Sequence, residues 1–416
     1  MATSTVAPPA PHAVEALAGA RILSGRIGQL DGLRGVAIAM VVFYHYFSFH
    51  FTTRAGSPLW FLVYPTRFGW SGVDLFFVLS GFLIGGILLD AKQSTGFFRV
   101  FYLRRLLRIV PLYFLTLTVF FSLIAWFGRY PSPYWPWTLD QNLPRYTYFL
   151  FLQNIWAAKL GALGSAPLAV YWSLSVEEQF YLTLPLMIRF LSRHRVLILT
   201  LEMIVLAPML RIALYSLSPT HPHAWYLLMP CRADSLFFGV LGAILLRDPA
   251  WRAKIERNRN TMRVLILLLG IGAPFITQTQ GAARGLWMVS IMFTWLAAFY
   301  LLLLIYAVTF STSGVSRVLN WTWLRGLGII AYGVYLLHEG ILGLVRQAVY
   351  LGPPSVSALP YGVVSVTALA ITIFIAHISW KHFEKPLVAF SHRYKYGQPP
   401  RLQSAEADQV ALHTVN

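Results

Sequence analysis

Leu30-Asp-Gly-Leu-Arg-Gly-Val-Ala-Ile-Ala-Met-Val-Val-Phe-Tyr-His45 begins with charges at Asp31 and Arg34, continues as an apolar segment into Phe47, Phe49 and Phe51, and carries a histidine far inside it. Arg34 and His45 stand eleven residues apart. On an α-helix, at about 100° and 1.5 Å per residue, they share one face to within about 20° and lie roughly 16 Å apart along the axis. A membrane helix of this kind presents a cation near one surface and an imidazole near the middle. An ionisable group at that depth costs roughly 2.5 kcal/mol or more to insert, so it needs a cavity or a partner.

The rest of the chain has the same character. Its 416 residues are 57% hydrophobic and only 12% charged, and the mean hydropathy is +0.60. Apolar runs repeatedly approach the roughly 20 residues that cross a bilayer. These features predict an all-α, polytopic integral membrane helix bundle of the inner, or cytoplasmic, membrane, with the lipid bilayer as its surroundings. The formal net charge of +18 resides in short loops between apolar spans, which is the positive-inside pattern and argues against nucleic acid. Cys231, the single cysteine, excludes an internal disulfide and reads as a packed side chain.

Residues 1–25, with a Pro-Pro-Ala-Pro run and no signal-peptide core, read as a disordered cytoplasmic tail; 26–390 form the transmembrane domain, and 391–416 a second disordered tail. After the first span, Arg54 and Arg67 bracket a loop, and a second span runs from about 68 to 89. Its Gly81-x3-Gly85 suits close helix contact. A basic loop with Lys92, Arg99, Arg104, Arg105 and Arg108 leads into a third span from about 106 to 127. Trp135, Pro136 and Trp137 suit a membrane surface, and Tyr146 to Trp156 is a short apolar piece. Further spans fall near 172–191, 196–215, 226–246, 263–279, 286–310, 324–350 and 359–380. If 146–156 stays at the outer interface or re-enters, every later basic loop falls on the side of Arg104 to Arg108, which gives about ten spans with both termini cytoplasmic.

That topology assigns depths. His45, Asp74, Glu177, Glu178, Arg232, Asp234, His338 and Glu339 gather toward the outer half, and Arg34 with Arg104, Arg105 and Arg108 toward the cytoplasmic face. Asp74 reads equally as a helix-packing residue, and Arg232 with Asp234 as a structural ion pair. The arginines of the third span read as positive-inside anchors or, because Arg105 and Arg108 are i,i+3, as two guanidinium groups addressing one phosphate-bearing ligand. No metal is expected: His221 and His223 flank Pro222 with no carboxylate nearby.

Several separated blocks resemble the acyltransferase 3 family of integral membrane O-acyltransferases. Arg34 and His45 match its Arg-x10-His signature, Gly72-Val-Asp-Leu-Phe-Phe-Val-Leu-Ser-Gly81 its second-helix block, and Arg104-Arg-Leu-Leu-Arg-Ile-Val-Pro111 its arginine-rich third helix. Trp172-Ser-Leu-Ser-Val-Glu-Glu-Gln-Phe-Tyr181 resembles a further block, with Ser175-Val176 before the first glutamate, and Arg232–Gly239, Tyr332–His338 and Phe383-Glu-Lys-Pro386 resemble later ones. The resemblance implies about ten spans and transfer of an acyl group, most often acetyl, from a cytoplasmic donor to hydroxyls of saccharides or related compounds such as secondary metabolites. It is expected to be the stand-alone form, without a fused hydrolase-like domain.

Joined to that resemblance, the residues suggest that acyl-CoA, by default acetyl-CoA, places its phosphates on Arg105 and Arg108, with Arg104 and Arg34, and extends its pantetheine arm toward His45. His45 acts as general base on the acceptor hydroxyl. Glu177 or Glu178 orients it; neighbours on a helix point about 100° apart, so only one of them can face His45, and Glu178 is favoured. Asp74, Trp172, Ser173, Tyr181 and His338 are in support. An acyl-histidine intermediate is equally compatible with the sequence. A second reading is a proton-coupled transporter or flippase of a polar envelope precursor, with His and Glu as a proton relay.

Overall fold

In a computed structural model the described residues are 27–48, 58, 64–127, 143–217, 223–278, 287–350 and 358–397. The expected tail 1–25, the chain from 398 onward, Arg54, the Trp135-Pro136-Trp137 patch and His221 lie outside them. Backbone groups at membrane depth have no water to bond, so they are closed within helices. Apart from one isolated bridge between Thr95 and Gly397, the described residues contain no extended pairing.

Helix α1 spans Gly28–Phe43 and continues as a wider π turn over Tyr44–Ser48. A 3₁₀ segment, Tyr64–Ser71, leads into α2, Gly72–Ala91. Then come α3 (Phe97–Phe127), α4 (Trp172–Phe190), α5 (Arg193–Leu217), α6 (Ala233–Leu246), α7 (Arg259–Gln278), α8 (Phe293–Thr309), α9 (Thr322–Ile329), α10 (Ala331–Tyr350), α11 (Ala358–Ser379) and α12 (Lys385–Ser391). Among the described residues, six segments are long and apolar enough to cross a membrane, or seven if α9 and α10, bent by 72°, count as one span. This is a multi-pass membrane protein. Helices α1, α4 and α7 fall outside that set; α1 carries Asp31 and Arg34, α4 carries Glu177, Glu178 and Arg189, and α7 carries Arg259 and Arg263.

One helix starts earlier than the sequence reading places it, and the segment expected not to cross does not. The basic stretch before the third span is not a loop: α3 starts at Phe97, because Phe97 and Phe101 are buried on its inner face and carry the helix through Arg104, Arg105 and Arg108. The segment 146–156 forms two short helices, Arg145–Phe149 and Gln153–Leu160, neither long enough to cross. They tuck inward. Gln153 donates to the Tyr171 carbonyl at 2.9 Å, and Asn154 and Gln179 pair at 2.9 Å. Helix α4 therefore begins inside the bundle, where the Tyr171 hydroxyl donates to the Leu336 carbonyl of α10 at 3.0 Å. The first residues of the expected C-terminal tail, 391–397, are also docked, with Ser391 buried and Gly397 bridged to Thr95.

Glycine sets the closest contacts. A Cβ on Gly81 of α2 would lie 1.8 Å from the Leu236 carbonyl of α6, and one on Gly239 would lie 2.2 Å from the Val78 carbonyl, so these backbones touch only without side chains. Gly32 and Gly35 of α1 do the same against Leu319 and Leu324, as does Gly328 against Asp31.

The buried ion pairs are crossed relative to the expected Arg232–Asp234 pair. Arg232 ends a 3₁₀ turn ahead of α6 and reaches Asp74 of α2 at 2.5 Å, with its guanidinium 3.9 Å above the Phe293 ring. Asp234 points to α5 and pairs with Arg211 at 2.8 Å. Arg211, in the same helix as Glu202, is fully buried and also donates to the carbonyls of Cys231 and Val289. Asp74 thus ties helices together. Removing one partner leaves a naked charge in a low dielectric, so Asp74→Ala or Arg232→Leu is expected to lose about 3–5 kcal/mol of stability, while an Asp74→Leu, Arg232→Met double variant recovers most of it. Thermal unfolding in detergent measures this; single variants melting like the wild type would contradict it.

Candidate active site

Where α1, α2, α3, α4, α9 and α10 meet, they leave a cavity of about 890 Å³, its open mouth included. Arg34, Arg105 and Arg108 line it, with Glu177, Ser80 and Tyr181, and Tyr332 and Tyr335 extend its wall along α10. Each side chain has a local reason to be there. The glycines of the opening motif let α1 lie directly on α9, which brings Arg34 to the cavity, half-buried and 3.6 Å from Asp31. Arg105 and Arg108 are one helical turn apart on α3, and Arg105 stands over the Tyr181 ring at 5.6 Å. The Tyr181 and Ser80 hydroxyls are 2.5 Å apart. Among the described residues, no hydrogen bond or salt bridge engages Arg105 or Arg108.

Arg104 departs from the expected donor set. One residue along the helix is a rotation of about 100°, and there its Nε and Nη2 both donate to the Tyr394 carbonyl, at 3.0 and 2.6 Å, while the Tyr396 ring lies 5.4 Å beneath. Its guanidinium holds the C-terminal segment. Glu384, from the Phe383-Glu-Lys-Pro386 block, sits behind the cavity as an electrostatic neighbour of Arg108 and accepts from Ser379 at 3.0 Å.

His45 belongs to a second cluster. The π turn after α1 turns it toward α10, where its ring lies 5.0 Å from that of His338 and its Nε2 lies 3.8 Å from Glu339. Tyr46 anchors the same turn, donating to the His338 carbonyl at 2.9 Å. The expected His45–Glu178 pair is not formed. Helix α4 starts level with Leu336, two residues from His338, so Glu177 lies about 9 Å further toward the arginines and faces the cavity. Glu178, a step round the helix, neighbours Tyr332 and Arg105. Trp172 packs on Tyr226 at 4.6 Å, and the Ser173 hydroxyl is 2.5 Å from that of Tyr335.

Tyr335 joins the two clusters. Its side chain lines the cavity, its ring lies 5.6 Å from His338, and its carbonyl accepts from His338 Nδ1 at 2.7 Å. The sequence offered no reason to single out Tyr335, Ser80 or Glu384 beyond their lying in matched blocks. Glu339 was visible only as the neighbour of His338.

The arginine-lined cavity and the His45–His338 cluster meet at Tyr335, which lines the first and touches the second. The family model described as an acyltransferase domain, acyltransferase 3, matches residues 27–377, and the chain belongs to that family. Among curated relatives, it is 26% identical over 87% of its length to the "Putative peptidoglycan O-acetyltransferase YrhL" of Bacillus subtilis (strain 168). It is 24% identical, again over 87% of its length, to the "Peptidoglycan O-acetyltransferase OatA" of Listeria monocytogenes serovar 1/2a. It spans a little over half of these proteins, 55% and 56% of their lengths. No solved structure matches it.

Loss of one charge-assisted contact costs about 1.5–3 kcal/mol. Arg105→Ala is therefore expected to weaken binding of a phosphate-rich anion such as coenzyme A by at least tenfold, and Arg104→Ala to change it less than twofold while loosening the C-terminal segment. Calorimetric titration of purified protein decides, and equal losses in both variants would contradict the assignment.

Proposed function

We propose that this protein is a membrane O-acyltransferase that moves an acyl group, acetyl in the first instance, from acyl-CoA to a hydroxyl of a carbohydrate or related acceptor. The observation that supports this reading is that Arg34, Arg105 and Arg108 line one cavity with Tyr335, whose ring lies 5.6 Å from His338, the ring neighbour of His45. Guanidinium forks suit phosphate oxygens, so the nucleotide end of the donor lies at Arg105 and Arg108, and the pantetheine arm runs past Tyr332 and Tyr335. The remaining helices α1, α4 and α7 are read as crossing too, which gives about ten spans with the arginine mouth and both termini on the cytoplasmic side of the inner membrane.

His45 is the general base. Its Nδ1–H donates to the Val41 carbonyl at 2.9 Å, which leaves the Nε2 lone pair to accept the proton of the acceptor hydroxyl. The alkoxide oxygen attacks the thioester carbonyl, the tetrahedral intermediate collapses with release of the coenzyme A thiolate, and the imidazolium proton passes to that thiolate. Glu339 stabilises the imidazolium from 3.8 Å. Glu177, expected beside His45, is reassigned to the donor cavity, where it sets the charge among the arginines and leaves room for one anionic ligand. A carbohydrate acceptor is supported by the names of the relatives.

Two outcomes test the proposal. Wild-type protein is expected to bind acetyl-CoA and release thiol slowly in detergent, and an Arg105→Ala, Arg108→Ala double variant to do neither; absence of binding in both would overturn the donor and favour gradient-driven transport. His45→Gln is expected to keep donor binding and lose at least 10²-fold in transfer. Full transfer by that variant would sink the base assignment.

A further inference from the structure

Beyond acyl transfer, we propose that His45, His338 and Glu339 form a His₂-carboxylate site for a zinc-class divalent cation. His45 spends its Nδ1–H on the Val41 carbonyl at 2.9 Å, and His338 spends its own on the Tyr335 carbonyl at 2.7 Å. A carbonyl only accepts, so both rings keep the Nε2 lone pair. His338 Nε2 lies 3.3 Å from His45 Nδ1, His45 Nε2 lies 3.8 Å from Glu339, and one ligand atom from each of the three, either ring nitrogen being counted for a histidine, falls within 4.8 Å of the others.

Imidazoles whose far nitrogen is fixed by a backbone carbonyl are oriented as metal-binding histidines are. Two of them with one carboxylate, and a fourth position open, are a donor set of the zinc type. Tetrahedral bonds of about 2.0–2.1 Å place ligand atoms about 3.4 Å apart, so an edge of 4.8 Å closes by about 1.4 Å on binding. The part-exposed side chains have room for that movement, at 21% for His45 and 18% for Glu339, and give the ion a way in. His338 is fully buried and held from behind, since its own carbonyl accepts from Tyr46. The ligands lie almost three hundred residues apart in the chain, which is why no ligand spacing is visible in the sequence.

A bound cation takes the His45 Nε2 lone pair that the base mechanism uses, so zinc and acyl transfer exclude each other. Binding itself does not depend on the acyltransferase reading. The test is titration of the chelator-washed, purified full chain with Zn²⁺, and with Co²⁺ as a coloured stand-in, without donor or acceptor. One site per chain is expected, with the intense visible bands of tetrahedral Co²⁺. At least tenfold weaker binding is expected in His338→Gln and Glu339→Gln variants that melt like the wild type, and unchanged affinity in Arg105→Ala. No stoichiometric binding, a weak octahedral Co²⁺ spectrum in the wild type, or affinity retained in both ligand variants would overturn the proposal. Zinc binding without zinc inhibition in an active preparation would leave the site standing and count against His45 as the base.

Discussion

A cation buried in a membrane bundle has to be met by an anion, a π face, a carbonyl or a ligand, because bulk water is out of reach. This protein meets its arginines in different ways, and the difference separates scaffold from site. Arg232 and Arg211 are closed by Asp74 and Asp234 and covered by aromatic rings. Arg104 is closed by the Tyr394 carbonyl and the Tyr396 ring. Arg34, Arg105 and Arg108 instead face a cavity, with Glu177 as a nearby carboxylate.

The packing that makes this possible depends on small residues. Gly81 and Gly239 let α2 and α6 touch, and the crossed ion pairs then lock α2 and α6 to each other and to α5. Gly32, Gly35 and Gly328 do the same for α1 and α9, and fix the depth of Arg34. From that point α1 carries the chain about 16 Å to His45, and the π turn swings the imidazole onto α10. The arginine cavity and the imidazole pair thus lie on either side of Tyr335.

Much of this was legible in the sequence where a local period or spacing carries it. The i,i+3 arginines and the Gly81-x3-Gly85 pattern each state a geometry that a single helix fixes, whereas the separation of Arg34 and His45 runs past the end of α1 into a π turn. What was not legible depends on where one helix starts relative to another. The contact of Tyr171 with Leu336 fixes where α4 starts against α10, and Glu177 then lines the arginine cavity while His45 meets Glu339. The pairing of Asp74 with Arg232 and of Arg211 with Asp234 follows from inter-helix contact alone, and Arg211 gave no signal except being charged within an apolar run.

The central claim is that a donor held by Arg105 and Arg108 delivers its acyl end past Tyr335 to the imidazole pair. Photo-crosslinking with an acyl-CoA analogue carrying a diazirine on the acyl group, followed by mapping of the labelled peptides, tests it most directly. Label on Tyr335, His338 or His45, competed away by acetyl-CoA, is the expected result. Competed label confined to the arginine mouth and the docked segment 391–397, with none on α10 or the end of α1, would contradict it.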